Sequence, residues 1–309
     1  MTTVAVTGAS GFVGHHVLQA LTQREFQIRA LVRDSAQLEP QPNLVPVIGR
    51  LNQSSALKDL LEGADSVIHL AGATGGFNYS DFAQVNVSGT QSLVNCAQQN
   101  CPDIRFIHLS SLAAREPSLS DYGASKLAGE KCVRDSDLNW MIVRPPAVYG
   151  PHDKALAPLW RALARGWLIR TGPPDARFSL LHVRDLADAL VKLVVPTNTA
   201  SQQAFELHDG KANGYDWTDL QELAQSVRNQ PVRVLPVPGL LLHSMGWFNL
   251  LLARSTGTRP PPLVPGKVRE LVHHDWVCDN SALPGCDNWQ PSHLLTTALH
   301  QLPGWRDFE

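Results

Sequence analysis

An α/β fold is predicted for this chain: a Rossmann-type doubly wound parallel sheet with a smaller mixed α/β region toward the C-terminus. Three observations predict it. Short apolar runs alternate with helical patterns through the first half, a glycine-rich turn follows the first run, and the alternation breaks after Arg144-Pro145-Pro146. Alternating strands and helices connect by right-handed crossovers, which cover a parallel sheet on both faces.

Strands are expected at 4–6, 28–32, 44–48, 66–71, 106–109 and 141–143, where the sequence is almost continuously apolar and rich in β-branched residues. Helical patterns fill the intervals at 14–22, 54–61, 85–99 and 122–134. Beyond Pro146 prolines multiply. The stretch 179–183 reads as one more strand returning to the sheet and 183–194 as its helix. This divides the chain into a first domain over 1–149, with 179–200 returning to it, and a second region assembled from 150–178 and 205–309.

The 309 residues suit one large or two modest domains, and 43% hydrophobic with 17% charged residues describe a globule with its own cores. The net charge of -2 carries no basic excess of the kind phosphate backbones require, so nucleic acid is not expected as a partner. The five cysteines Cys96, Cys101, Cys132, Cys278 and Cys286 are odd in number and lack C-x-x-C spacing, which points away from a disulfide framework and from zinc. A reducing cytoplasm fits best. Met1 runs almost directly into the first strand, leaving no room for a signal peptide. His15-His16 and His273-His274 lack a third ligand at metal-like spacing, and no metal is expected.

Gly8, Gly11 and Gly14 follow the first strand with G-x-x-G-x-x-G spacing. Such a turn lets the backbone approach a pyrophosphate, and the N-terminus of the next helix favours negative charge. At the end of the second strand a carboxylate would bind a ribose 2′-hydroxyl and a guanidinium a 2′-phosphate. The chain offers Arg33 there, with Asp34 just beyond and Arg29 four positions earlier. NADP is favoured as cofactor, and NAD is left open by Asp34.

Tyr122 and Lys126 form a Y-x-x-x-K pair that shares one helical face. A phenol with an ordinary pKa near 10 is a poor acid or base at neutral pH, and a lysine one turn away stabilises its phenolate. Ser111, after the fifth strand, can hydrogen-bond a substrate oxygen and hold it against the phenol. The three are the expected catalytic set for moving a proton beside a hydride.

With these motifs in place, the chain resembles the extended short-chain dehydrogenase/reductase superfamily, which includes nucleotide-sugar epimerases, dihydroflavonol reductases and 3β-hydroxysteroid dehydrogenases. The likeness runs through T-G-A-S-G-F-V-G at Thr7, H-L-A-G at His69, N-V-S-G-T at Asn86, L-S-S at Leu109, Y-G-A-S-K at Tyr122, R-P-P-A-V-Y-G-P at Arg144 and H-V-R-D-L-A at His182. It implies that Tyr122 is the acid/base, that Lys126 is its partner and ribose anchor, and that Ser111 orients the substrate. It further implies that Gly8, Gly11, Phe12, Val13 and Gly14 cradle the pyrophosphate, that Leu70, Ala71 and Gly72 line the cofactor, and that Pro145 and Val148 approach the nicotinamide. Asn86 and Asp185 match positions read as structural. A homodimer through a two-helix contact is a further family expectation.

Two departures bear on the substrate. The third strand ends in Gly49-Arg50-Leu51 where the family usually has an acidic residue after the glycine, and Arg50 adds positive charge that suits NADP. The interval from Ser111 to Tyr122 is 11 residues, shorter than in nucleotide-sugar members, and resembles a branch with the complex I accessory subunit and uncharacterised bacterial relatives. With Glu116 its sole carboxylate before Asp121, that tract disfavours dehydration chemistry.

The stretch 234–253 carries no charged residue, but its prolines, glycines and polar residues leave too short a helix for a bilayer core of about 30 Å. It is expected to wall an apolar pocket, with Leu241, Met245, Trp247 and Phe248 toward the substrate, and peripheral membrane contact is the alternative. Arg177 stands where nucleotide-sugar members often bind a diphosphate. The reading is an NADP-dependent oxidoreductase acting on a carbonyl or secondary alcohol of a mainly apolar small molecule. A nucleotide-sugar 4-epimerase with tightly held NAD and a non-catalytic cofactor-binding assembly or sensor subunit are the alternatives.

Overall fold

The computed structural model describes residues 2–195, 200–278, 283–286 and 289–305; the parts of the expected segments at 196–199, 279–282, 287–288 and 306–309 lie outside them. All six expected strands form. β1 (Thr3–Thr7) leads into α1 (Phe12–Thr22), then β2 (Gln27–Val32) and β3 (Leu44–Ile48). α2 (Ser54–Leu61) crosses back to β4 (Ser66–His69). α3 (Tyr79–Ala83) and α4 (Thr90–Asn100) precede β5 (Arg105–Leu109), and α5 (Asp121–Arg134) precedes β6 (Asn139–Arg144). The strands are parallel in the order β3-β2-β1-β4-β5-β6, so the chain reverses direction between β1 and β4. That reversal opens a crevice at the carboxyl ends of the strands, where ligands of such sheets bind.

Period-two alternation sends neighbouring strand residues to opposite faces. Val4, Val6, Ile28 and Met141 pack with Leu186 and Leu190 on one side. Ala5, Val67, Phe106 and Ile142 pack with Leu57, Leu93 and Val133 on the other. The expectation of two covered faces fails at the edge, where Val45 and Ile48 of β3 are exposed and Pro46 interrupts the donors. Proline is tolerated there because an edge strand leaves donors unpaired anyway. The single helix expected over 85–99 is also divided, since Gln84–Gly89 forms a π-helical stretch between α3 and α4.

Past Pro146 the chain forms β7 (Ala147–Tyr149), α6 (Ala157–Ala164), β8 (Trp167–Arg170), β9 (Arg177–Phe178), β10 (Leu180–His182), α7 (Val183–Leu193) and β11 (Gln203–Glu206). Here the expectation for 179–183 is corrected. β10 pairs with β7 in a ribbon of its own, and the seventh strand of the main sheet is β11, parallel to β6. β11 lacks an apolar run because it lies at the open edge and is only partly buried. The returning helix is as expected: α7 supplies Leu186, Leu190 and Leu193 to the same core as Val17 and Leu21 of α1.

The remainder comprises α8 (Trp217–Arg228), β12 (Arg233–Pro236), α9 (Gly239–Thr256), α10 (Pro265–Leu271), β13 (Asp275–Trp276) and α11 (Leu295–Ala298). It has a third core, in which Tyr149, Trp160, Leu168 and Tyr215 pack with Leu299 and Trp305. β8 and β12 pair as a parallel ribbon beneath α9 in sequence, joined to it by Val237 and Pro238.

Candidate active site

The glycine turn is shaped by contacts that exclude side chains. Gly8 has φ +73°, and a Cβ there would lie 2.6 Å from the Ala71 nitrogen; a Cβ at Gly14 would lie 2.2 Å from the Gly8 carbonyl oxygen. The turn therefore sits hard against Leu70 and Ala71, and the Thr7 hydroxyl accepts from the Ala71 N–H at 3.3 Å. Gly11 starts α1 without a capping side chain and the first turn holds no acid, so Phe12, Val13 and Gly14 present backbone donors suited to an anion. This is a cradle that fits a pyrophosphate. Val13 and Val148 also pack against the core beside the sheet.

At the end of β2 the two candidates separate. The Asp34 carboxylate is folded back to accept the Ala36 N–H at 3.0 Å, capping a short 3-10 turn. Arg33 is exposed, and so is Arg50, which the pairing of Val32 with Ile48 brings to the same edge. Arg29 donates to the Asp59 carbonyl beside α2 and is directed elsewhere.

Tyr122 stands in the first turn of α5, which Ser120 caps by accepting the Gly123 N–H at 2.9 Å. Burial pushes the phenol up to about 12, a hydrogen bond with Ser111 opposes this, and the charge of Glu270 adds to it. One turn on, the buried Lys126 Nζ donates to the Leu109 carbonyl at 2.7 Å. Burial lowers its pKa to about 8, with Glu130 acting in the opposite sense. A Cβ added to Gly72 would lie 3.7 Å from that ammonium, so the β4 loop brings the cofactor candidates to the lysine. Pro145 joins them through its carbonyl, which accepts the Leu112 N–H at 2.9 Å beside Ser111.

The serine pair divides its work. Ser110 donates to buried Glu130 at 2.5 Å, whereas Ser111 faces Tyr122 and accepts the Ala113 N–H at 3.2 Å. Burial alone would raise the Glu130 carboxyl, but bonds from Arg144, Ser110 and Arg134 hold it below its ordinary value. Asn86, in the π-helical stretch, bonds both backbone groups of Ala73 and donates to the Ser125 hydroxyl at 2.9 Å, tying the β4 loop to α5.

The substrate candidates are Arg177 and one face of α9. Arg177 donates to the Asn213 carbonyl at 3.1 Å and to Asp216 at 3.2 Å. Leu241, Met245, Trp247 and Phe248 are on the exposed face of α9, whose other face packs Leu242, Gly246 and Leu250 toward α10. A cleft of about 380 Å³ between Arg170–Pro173 and Pro236–Gly239 is not lined by Ser111, Tyr122 or Lys126.

Two carboxylates were not anticipated. Glu130 had a signal, being a further four residues along the Tyr122–Lys126 face. Glu270 had none: α10 brings it in from the irregular second region, where it accepts from Ser120 and from Lys267.

A model of the NAD dependent epimerase/dehydratase family matches residues 4–207. Ceramide reductase of Caulobacter vibrioides is 39% identical over 280 residues, covering 89% of this chain and 85% of its own length. A 3-beta-hydroxysteroid dehydrogenase of Mycolicibacterium neoaurum is 26% identical over 311 residues, covering 88% of this chain and 83% of its own. Among solved structures, MoeE5 in complex with UDP-glucose and NAD superposes with a TM-score of 0.71 at 20% identity over 99% of both chains.

Proposed function

The chain belongs to the NAD dependent epimerase/dehydratase family and is an oxidoreductase of the extended short-chain dehydrogenase/reductase type, and from that premise we propose that it is an NADP-dependent reductase of a ketone in a long-chain, lipid-like molecule. The observation that carries this is the placement of Tyr122 one turn before a buried Lys126 that lies beside Gly72, with Ser111 acting on the phenol. When bound, a reduced nicotinamide would supply the hydride that the carbonyl carbon takes up. Ser111 holds the carbonyl oxygen, the Tyr122 hydroxyl delivers the proton to it, and the product is the secondary alcohol. Lys126 uses one of its three donors on Leu109, so two are left for the cofactor ribose, while its charge stabilises the phenolate left after transfer.

The apolar substrate class is supported by two relatives whose names specify a ceramide and a steroid as substrates. The nucleotide-sugar reading is disfavoured by the pairing of Arg177 with Asp216. NADP over NAD is supported by the exposed Arg33 and Arg50 and by the Asp34 carboxylate being engaged with Ala36.

The test is a cofactor titration followed by turnover of a long-chain 3-keto amide. Arg33→Ala is expected to weaken NADPH by about 1–3 kcal/mol and leave NADH nearly unchanged. Tyr122→Phe is expected to keep NADPH binding and lower the rate about 100- to 10,000-fold. Equal curves for both cofactors in the unmodified protein would overturn the cofactor assignment. Turnover of UDP-glucose with bound NAD, and none of the ketone, would overturn the substrate class.

A further inference from the structure

Helix α9 is apolar on both faces, and among the described residues one of them is left exposed. Leu242, Gly246, Leu250 and Ala253 form the buried stripe, and Gly246 lets the helix approach the Pro265–Val268 turn of α10. On the outer face Leu240, Leu241 and Met245 are exposed in the first half, and Trp247, Phe248, Leu251 and Leu252 in the second, with Leu240 81% and Phe248 65% accessible. A soluble helix normally sets polar residues there, and an exposed patch of this kind marks a contact surface. The ribbon that feeds the helix is also apolar on its exposed side, with Ile169 and Leu235 exposed in register and Trp167 exposed opposite Arg233.

Charge identifies the occupant. Between Glu222 and Glu270 the sequence carries Arg228, Arg233, Arg254, Arg259, Lys267 and Arg269 and no Asp or Glu, in a chain whose net charge is -2. Arg233, Arg254 and Arg259 are exposed, Arg233 lying over the Trp167 ring at 5.7 Å. The segment that carries the apolar face holds only cations among its charged residues, which matches an anionic lipid surface, whose headgroups attract arginine while the acyl boundary takes up leucine, phenylalanine and tryptophan. No helix among the described residues is long and apolar enough to cross a membrane, so the contact is interfacial.

We propose that the outer face of α9, continued by the β8–β12 ribbon, docks this protein onto an anionic bilayer. This rests on the proposed lipid-like substrate and adds its route. Arg254 donates to the Phe77 carbonyl at 3.1 Å, and Phe82, in the helix that follows, stacks edge-on against Tyr122 at 6.1 Å. The lipid-facing helix thus ends beside the loop that flanks the candidate catalytic tyrosine, and a ketone held in the bilayer surface has a short lateral path to it.

The experiment is flotation with vesicles of phosphatidylcholine, with and without 30 mol% phosphatidylglycerol, at low and at 0.5 M salt, alongside light scattering without lipid. The protein is expected to float with anionic vesicles at low salt and to bind neutral ones at least tenfold more weakly. Phe248→Glu is expected to reduce partitioning at least tenfold, and Arg233→Glu with Arg259→Glu to do so on anionic vesicles only. An unchanged melting temperature shows that these exposed substitutions leave the fold intact. Reduction of a short-chain, water-soluble keto amide is measured on the same samples, so that loss of docking with retained reduction, or the reverse, separates this proposal from the reductase reading. Absence of vesicle binding by the unmodified protein overturns the proposal, as does a lipid-free dimer that Phe248→Glu dissolves without any vesicle binding.

Discussion

Lys126 is a cation kept where water cannot reach it, and that has a measurable consequence for stability. The stacked imidazoles of His69 and His108 lie in the same buried layer, and burial holds both well toward the neutral form, so they add no compensating charge. The lysine's folded pKa of about 8 stands below its unfolded value. At pH 7 both states are protonated and the folded state bears the full burial penalty. As pH rises through about 8 the folded lysine sheds its proton first, so the penalty fades on the alkaline side. Lys126→Met is therefore expected to stabilise the protein by about 1–3 kcal/mol at pH 7, with a gain that shrinks toward pH 10, while activity is lost. Melting curves of the two proteins at the two pH values check this; a gain independent of pH would show that packing and not charge is responsible. The sequence shows the pair Tyr122 and Lys126 by its spacing, but not this penalty, because burial is set by the β4 loop and β5, which meet α5 only in the folded chain.

Helix α5 holds the site by being fixed at three levels: Ser120 caps its start, Ser125 receives Asn86, and Glu130 receives Arg144 through two bonds of 2.7 Å. Gly129 is where it touches the π-helical stretch, and a Cβ there would lie 2.3 Å from the Asn86 carbonyl oxygen. Helix propensity alone would make alanine better by about 0.5–1 kcal/mol. The contact reverses this, because the Asn86 backbone cannot yield while its side chain bonds Ala73 and Ser125. Gly129→Ala is expected to cost about 1–3 kcal/mol, as overpacking does, and to lower turnover by displacing Tyr122 from Ser111. Urea unfolding and steady-state rates decide; a stabilised, fully active variant would show the contact to be soft. The strands and helices of the first half were legible because each is long enough to show its period and each bounds a buried layer. The π-helical stretch was not, since inserting one residue into a turn leaves the apolar pattern of 85–99 nearly unchanged. β11 and Glu270 were hidden for another reason: each owes its position to partners far away in the chain.

At the scale of the whole molecule, the question is how the third core is fastened to the sheet that carries the cofactor candidates. Asp185, in the first turn of α7, accepts from the Ser292 hydroxyl at 2.9 Å, from the His293 N–H at 2.9 Å and from the His293 ring at 2.7 Å. His293 in turn stacks on His182 at 4.4 Å, and its carbonyl accepts from Tyr149, which belongs to the third core. One buried carboxylate thus joins a helix on the sheet to the segment that closes the second region. Burial by itself would raise its pKa, but the bonds from His293 and Ser292 outweigh that and leave it below the ordinary carboxylate value. Its stabilising contribution is therefore present above the unfolded value near 4 and is lost as pH falls through the lower folded value. With the junction intact, circular dichroism and tryptophan fluorescence are expected to report one coincident unfolding transition, and saturating NADPH to shift both probes together. Asp185→Ala is expected to cost about 1–3 kcal/mol near pH 7 and to separate the two probes, because Trp160, Trp217 and Trp305 report the third core and outweigh Trp140 and Trp289 of the other two, which the sheet retains. The deficit relative to the unmodified protein is expected to shrink in acid below pH 4. Coincident transitions in Asp185→Ala, with the whole curve merely displaced, would mean that apolar packing between the regions and not this carboxylate makes the molecule one cooperative unit.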